Sequence, residues 1–535
     1  MSSESRKLST KATGIVGLAV MCSRVLGLAR EVIFNAMFGA GGSLDMFITA
    51  FRAPNLLRDL FAEGALSTAF VTTFSKKIAT EGDGSAWRLA NKVGTLALIV
   101  MSGLTLLGMA FSGPLIGVLG SGFSGEKAVL TSQLTAVMFP FILMVSMAAL
   151  AMGMLNAKLV FGWPAMASTF FNIGSILGGV TLAYVFEPQA DWLHPHFGSH
   201  ALFGLAIGTL IGGFLQLVVQ FPSLYRVGFR PQFDFNWRDE GVATVLRIMA
   251  PAVIAASAVQ VNVMVNTSFA THLTPGSVVW LNNAFRLMQL PLGIFGVAIG
   301  TVTLPLLSKS VALGLGDEFR STLARGMRLA FLLTIPSTIG LIMLAHPIMS
   351  VVYQHGNVTA FQVAQMAAAL QLYAIGLASY SVMKVLAPAF YAIDRRKTPM
   401  IISFLAIGTN LLMNWIFTFK LGWGHKGLAF STSLVATINF LILYALMHRH
   451  AKGLETRKML VCLGKIAIAA TLLALVCWLG NSLAAWDRMN LIVKLAALLA
   501  TIAVAATLFF GTALALRIEE IQDVQRLVAR KLGRR

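Results

Sequence analysis

The stretch Gly42-Ser43-Leu44-Asp45-Met46-Phe47-Ile48-Thr49-Ala50-Phe51-Arg52 runs on through Ala53-Pro54-Asn55-Leu56-Leu57-Arg58-Asp59-Leu60-Phe61-Ala62-Glu63 and sets charges into an apolar segment. Asp45, Thr49, Arg52, Asp59 and Glu63 are spaced by 4, 3, 7 and 4 positions, so a helix gathers them on one face. Part of the stretch returns later. Gly42-Ser43 and Ala50-Phe51-Arg52 recur as Gly276-Ser277 and Ala284-Phe285-Arg286, displaced by 234, and Ser75-Lys76 recurs as Ser308-Lys309, displaced by 233. What a polar face of this kind does depends on the solvent around the helix.

Composition supplies that solvent. Of the 535 residues 57% are hydrophobic and 12% charged, and the mean hydropathy is +0.78, whereas soluble domains are roughly a quarter charged. A soluble enzyme, a disordered chain and a fibrous repeat are excluded. The formal net charge of +20 would point to nucleic acid in a soluble protein. Here the excess lies in short loops between apolar runs, so no nucleic-acid partner is expected. With about 20 apolar residues needed per crossing, fourteen candidate spans appear, near 13–37, 45–74, 90–112, 129–155, 160–186, 201–222, 243–271, 277–307, 327–353, 361–391, 399–419, 427–447, 459–482 and 490–516. The second and eighth are long and polar enough to be broken or tilted. The first carries Arg24 and Arg30, which argues against a cleaved signal peptide.

Orientation follows from where lysine and arginine collect. Taking the N-terminus as cytoplasmic, the inner segments hold Arg6, Lys7, Lys11, Lys76, Lys77, Arg88, Lys92, Arg226, Arg230, Arg320, Arg325, Arg395, Arg396, Lys397 and many more, while the outer loops hold only Lys127, Lys420, Lys426, Arg488 and Lys494. An even number of spans then puts both termini in the cytoplasm. The repeat moves the second span onto the eighth. An even shift preserves direction, so the repeat is parallel, about an axis along the membrane normal. The expected fold is all-α and polytopic, with two pseudo-symmetric six-helix lobes at 1–222 and 223–456, two further helices at 457–516, and a basic amphipathic tail at 517–535. In that tail Ile518, Ile521, Val524 and Leu527 share a side, suited to an anionic cytoplasmic leaflet.

Charges at mid-bilayer cost about 2.5–3.5 kcal/mol each on insertion scales, and the first two spans carry Arg24, Arg30, Glu31, Asp45, Arg52, Arg58, Asp59 and Glu63. Two readings stand: a hydrated cavity lined by these groups, or buried ion pairs that glue the N-terminal lobe together. Arg286, in the second copy, has no acid on its own helix and is the strongest candidate for substrate contact. Lys384 suits a cavity or a snorkelling role equally, and Ser23 adjoins Arg24. Guanidinium forks match phosphate oxygens, so the cargo is expected to be anionic and phosphorylated. Other chemistry has no footing. No GxxxxGK[ST] loop or GxSxG elbow occurs. Cys22, Cys462 and Cys477 are isolated in apolar segments, and His194, His196 and His200 lack an acid or cysteine to complete a metal site. The chain is read as a transporter, not an enzyme, with no metal.

At the level of motifs, Ser23-Arg24-Val25-Leu26-Gly27-Leu28-Ala29-Arg30-Glu31, Phe38-Gly39-Ala40-Gly41, Asp45, Phe51-Arg52-Ala53-Pro54-Asn55-Leu56-Leu57-Arg58 and Phe61-Ala62-Glu63-Gly64-Ala65 resemble the lipid II flippase family (MurJ, formerly MviN). Arg286-Leu287-Met288, Gly293 through Gly300, Leu304-Pro305 and Lys384-Val385-Leu386-Ala387-Pro388 extend the resemblance over nearly the whole chain. That family sits in the superfamily of multidrug, oligosaccharidyl-lipid and polysaccharide exporters. The resemblance implies fourteen helices, a cationic central cavity and alternating access in a bacterial inner membrane. Its implied cargo is the undecaprenyl-diphosphate-linked peptidoglycan precursor, moved to the outer leaflet, with the last two helices holding the lipid tail. By motif position, Arg24, Arg30 and Arg286 match the family's essential cavity arginines, and Asp45, Arg58 and Glu63 its other functional charges. Arg52 and Asp45 join the substrate-binding cavity candidates, with Lys384 and Ser23 as further cavity residues, and Asp59 and Glu31 complete the gate and ion-pair candidates with Arg58 and Glu63. Some members are thought to use sodium, but the seventh, eleventh and twelfth spans here contain no Asp or Glu. Their polar residues are Gln260, Asn262, Asn266, Asn410, Asn414 and Asn439. No cofactor is expected, and coupling to membrane potential is preferred over a monovalent cation, since one charge crossing 100 mV is worth about 2.3 kcal/mol. A monomer is expected. The alternatives are a drug:cation antiporter, a flippase for another polyprenyl-linked glycan, and a membrane-bound glycan transferase.

Overall fold

The computed structural model describes residues 3–60, 66–188, 197–483, 486 and 489–522. Every regular element among them is helical. Ten of these helices are long and apolar enough to cross a membrane, or eleven if the pair Ala360–Ile375 and Leu377–Ala392, bent by 40°, makes one crossing. The first, second and seventh spans expected from sequence are not among them. The charges fall chiefly on the first two of these, and the second is interrupted. Glu63, His194, His196 and residues 523–535 lie outside the described residues.

The chain divides into two compact units. One comprises residues 1–278 with 355–358, and the other 279–354 with 359–535. The first contains α1 (Ser3–Phe38), α2 (Gly42–Leu57), α3 (Ser67–Glu81), α4 (Asp83–Ala110), α5 (Ser112–Leu119), α6 (Glu126–Met138), α7 (Phe141–Ala157), α8 (Gly162–Phe186), α9 (Ala201–Val218), α10 (Phe221–Arg226) and α11 (Glu240–Thr271). Its tightest pairing is α8 on α9. Gly204, Gly208 and Gly212 recur every fourth residue and so form one ridge of α9. A Cβ on Gly208 would lie 2.3 Å from the Gly179 amide nitrogen, and one on Gly204 2.4 Å from that of Ala183. The two backbones touch, which only glycine permits. Apolar helices in lipid gain nothing from hiding hydrocarbon from water, so close backbone contact of this kind is what holds them together. Against this pair lies α1. Its C-terminal carbonyls are met by residues 355–358: the Asn357 amide donates to the Ala36 carbonyl at 2.8 Å, and Asn357 Nδ2 to the Met37 carbonyl at 2.6 Å.

The second unit holds α12 (Ser277–Pro291) from its first turn onward, a π segment (Leu292–Val297), α13 (Ala298–Ala312), α14 (Gly316–Met343), α15 (Ala345–Tyr353), α16 (Ala360–Ile375), α17 (Leu377–Ala392), α18 (Lys397–Asn414), a second π segment (Trp415–Lys420), α19 (His425–His450), α20 (Thr456–Leu483) and α21 (Leu491–Ala515). The repeat is visible in the backbone. The α2 helix ends at Leu57 and residues 58–60 widen to π geometry; α12 ends at Pro291, 234 positions later, and passes into π geometry at Leu292. Both copies therefore widen at the same register, within the second and eighth spans that the sequence marks as broken or tilted, and Ser277–Ala312 still counts as one span of 36 residues.

Residues 516–522, which follow α21, do not lie free of the protein. Ile518 and Ile521 join the core of the second unit, and Glu520 is 3% exposed. The Glu520 carboxylate meets Arg328 Nε, while Arg328 Nη1 reaches Glu455 at 3.0 Å. The apolar residues at the start of the expected leaflet-resting tail thus pack on protein instead.

Candidate functional site

Arg24, Arg30 and Glu31 are borne by α1. The helix is seated by Asn172 of α8, whose Nδ2 donates to the Ser23 carbonyl at 3.1 Å and to its own Ser168 carbonyl at 3.0 Å. Two turns further on, the Arg30 guanidinium stands 5.0 Å from the centre of the Phe171 ring. Phe171 packs on Phe141 of α7 at 5.5 Å, and Phe141 on Phe51 of α2 at 5.2 Å. A buried aromatic row thus links the helix carrying Arg30 to the residue beside Arg52. Arg30 and Glu31 are half-buried, while Arg24 is exposed. A guanidinium set on a ring face is held in place by the attraction of the cation to the π system.

The polar face of α2 changes character along its length. Asp45 is 3% exposed and Thr49 fully buried, whereas Arg52, Arg58 and Asp59 are half-buried. Asp45 Oδ2 accepts the Gly276 amide at 2.5 Å. Gly276 has φ of 104°, a backbone shape that favours glycine, and it starts the second copy of the repeat. Asp45, a cavity candidate by sequence, thereby ties the start of α2 to the turn before α12. At the other end, Arg58 Nη2 and Nε both donate to Asp59 Oδ1, at 2.8 and 3.2 Å. Asp59 Oδ2 accepts Gln260 Nε2 of α11 at 3.3 Å. Arg58, Asp59 and Gln260 therefore form one network at the widened end of α2, where a helix can change shape at low cost.

In the second unit Arg286 is half-buried on α12, beside Phe285, whose ring lies 5.2 Å from that of Tyr373 of α16. Lys384 is exposed on α17. Its backbone is the more constrained part: a Cβ on Gly300 of α13 would lie 2.3 Å from the Lys384 carbonyl oxygen. The polar residues of α18 form a buried cluster, with Asn414 Nδ2 donating to Asn410 Oδ1 at 2.5 Å and Ser431 of α19 bonded to Asn414. Among the described residues no three His, Cys, Asp or Glu side chains gather as a metal set. Composition and motif reading missed four supporting groups: Phe171, Asn172, Asn357 and the Gly276 amide. The signals were faint, a lone asparagine in an apolar helix and a His355-Gly356-Asn357 turn. Lys494 was counted as a marginal loop charge, yet it is buried and donates to Ser350 Oγ at 2.9 Å and Gln354 Oε1 at 3.2 Å.

The family model for lipid II flippase MurJ matches residues 34–497. A lipid II flippase MurJ of Burkholderia cenocepacia is 36% identical over 430 residues, covering 79% of this chain and 81% of that one. Among solved structures, a lipid II flippase MurJ in an inward closed conformation superposes with a TM-score of 0.74 at 24% identity, covering 93% of this chain and 99% of that one. An inward-facing multidrug resistance transporter of the MATE family gives 0.65 at 14% identity, covering 83% and 95%. Both structures share the fold. The relatives are transporters, and the helices described above make this chain a multi-pass membrane protein. A family model matched over most of the chain and a relative 36% identical over about four fifths of both chains show that this chain belongs to the lipid II flippase MurJ family.

Proposed function

We propose that this chain flips lipid II, the undecaprenyl-diphosphate-linked peptidoglycan precursor, from the cytoplasmic to the outer leaflet of a bacterial inner membrane by alternating access. The single observation that carries the reading is membership of the flippase family over residues 34–497. In this reading the chain crosses the bilayer fourteen times with both termini in the cytoplasm, forms two lobes, and lays the lipid tail along α20 and α21. Arg24, Arg30 and Arg286 hold the diphosphate, each able to present two parallel N–H donors to phosphate oxygens. Arg52 adds charge, and Arg58, Asp59, Glu31 and Glu63 exchange partners as access alternates. Asp45 acts by fixing the start of α2, a role supported by its bond to Gly276. The apolar tail stays in lipid, so only the charged head needs a wet path. Membrane potential drives the cycle, and the protein works as a monomer.

The test is replacement in cells that depend on this chain. Depletion traps the precursor in the inner leaflet and stops wall synthesis. Arg24→Ala, Arg30→Ala and Arg286→Ala, each expressed at parental level, fail to restore transport. Normal growth of all three would overturn the assignment of the arginines. Unchanged wall synthesis with altered drug efflux would favour an antiporter.

A further inference from the structure

Between α10 and α11 the chain runs without regular secondary structure from Phe229 to Asp239 beside α4, with a tight turn where the Trp237 amide donates to the Phe235 carbonyl at 2.9 Å. Asn91 Nδ2 donates to the Arg230 carbonyl at 3.2 Å, Asn91 Oδ1 accepts the Gln232 amide at 3.1 Å, and Thr95 Oγ1 accepts the Asp234 amide at 3.1 Å. Phe229 stacks on Trp87 at 5.5 Å, and Lys92 Nζ holds Asp239 Oδ2 at 2.8 Å. The alternate residues Phe233, Phe235 and Trp237 all remain exposed, their rings 6.4 and 6.0 Å apart in turn. Exposed Phe and Trp beside a basic loop mark the boundary between headgroups and hydrocarbon.

Behind this strap lies a cavity of about 330 Å³ lined by Gly94, Leu98, Met147, Ala151, Leu217 and Phe233, among others. Asn91 and Thr95 border it but are committed to the strap. A dry hydrocarbon-lined void of this size forfeits contacts on every wall, and water has too few partners there. We infer that the cavity binds one acyl chain of a phospholipid from the leaflet on the basic side of the membrane. Size selects this occupant: a cavity of about 150 Å³ admits benzene, so this one takes about a dozen carbons. A polyprenyl chain of several dozen carbons would leave most of its length outside, whereas most of an acyl chain is accommodated. The site is independent of the proposed cargo path and requires only that the chain span a membrane.

The test uses the full chain in vesicles of phosphatidylethanolamine and phosphatidylglycerol, with a tracer phosphatidylglycerol bearing a diazirine at mid-acyl position. Photolysis is expected to attach the tracer to Met147 and Leu217. Gly94→Leu fills the cavity from α4, where an added Cβ meets nothing within 4 Å and leucine favours the helix. That variant should lose the two crosslinks while keeping those on the outer face of α21. Crosslinks spread evenly over apolar helices, or unchanged in Gly94→Leu, would overturn the site. A diazirine-bearing polyprenyl phosphate that labels the same residues and displaces the acyl tracer would overturn the choice of ligand.

Discussion

At the scale of single residues, charge is useful only where something rigid aims it. Arg30 is aimed by the Phe171 ring. A guanidinium–ring contact is worth about 0.5–2 kcal/mol, so Phe171→Leu is expected to slow transport by roughly 2- to 30-fold, as that energy range converts. Phe171→Tyr keeps the ring face and should retain most activity. Both are read by lipid II exposure on the outer leaflet, with accumulation of folded protein as control. Asp239 shows the same logic outside the membrane. The hydrogen bond from Lys92 is the largest influence and holds its carboxyl below the ordinary value of 3.8; the Gly241 amide and the Lys77 charge help, against partial burial. A carboxylate with a depressed native pKa stabilises the fold above its ordinary value and loses that stabilisation as pH falls through the depressed one. Asp239→Asn should therefore lower the melting temperature at pH 7, and the difference from the parent should shrink as pH falls below the ordinary carboxylate value and through the depressed one, measured by thermal unfolding in detergent.

The element scale is governed by backbone contact. On α9, Gly204, Gly208 and Gly212 let α8 approach until main-chain atoms touch. A side chain at Gly208 meets backbone that cannot swing away, unlike a flexible neighbour. Gly208→Leu is expected to destabilise by at least about 3 kcal/mol, the upper end for overpacking, and to abolish accumulation of folded protein in the membrane. The breaks at the ends of α2 and α12 belong to this scale too. Each lies just beyond an arginine, Arg52 or Arg286, and in the first copy the Arg58–Asp59–Gln260 network sits on the widened turn. A helix that is already π at that point can shift its register without first breaking an ideal ladder.

Across the whole molecule, each compact unit is closed by a segment distant in sequence. Residues 355–358 cap α1 in the first unit. In the second, Arg328 of α14 is clasped by Glu455, just before α20, and by Glu520, beyond α21. Arg328 is 7% exposed, and removing one partner of a buried pair costs about 3–5 kcal/mol because the other charge is stranded. Arg328→Ala should lower the melting temperature sharply. In a double-mutant cycle with Glu520→Ala the two losses should not add, whereas simple additivity would show that the contact carries no coupling.

The sequence alone determined that this chain lives in a membrane, that its elements are helices, and that arginines sit on α1, α2 and α12. Those properties are local or periodic: hydropathy accumulates over about 20 residues, and a repeat offset needs no third dimension. Family motifs were legible for the same reason, being short runs such as Ser23 through Glu31. Tertiary structure decided what each charge touches. Asp45 became a peg for Gly276, Asp59 a partner of Gln260, Ile518 and Ile521 part of a protein core, and Lys494 a buried donor. Hydrogen bonds and ion pairs act over a few ångströms between residues that can be hundreds of positions apart, and no composition, spacing or motif encodes which of them will meet.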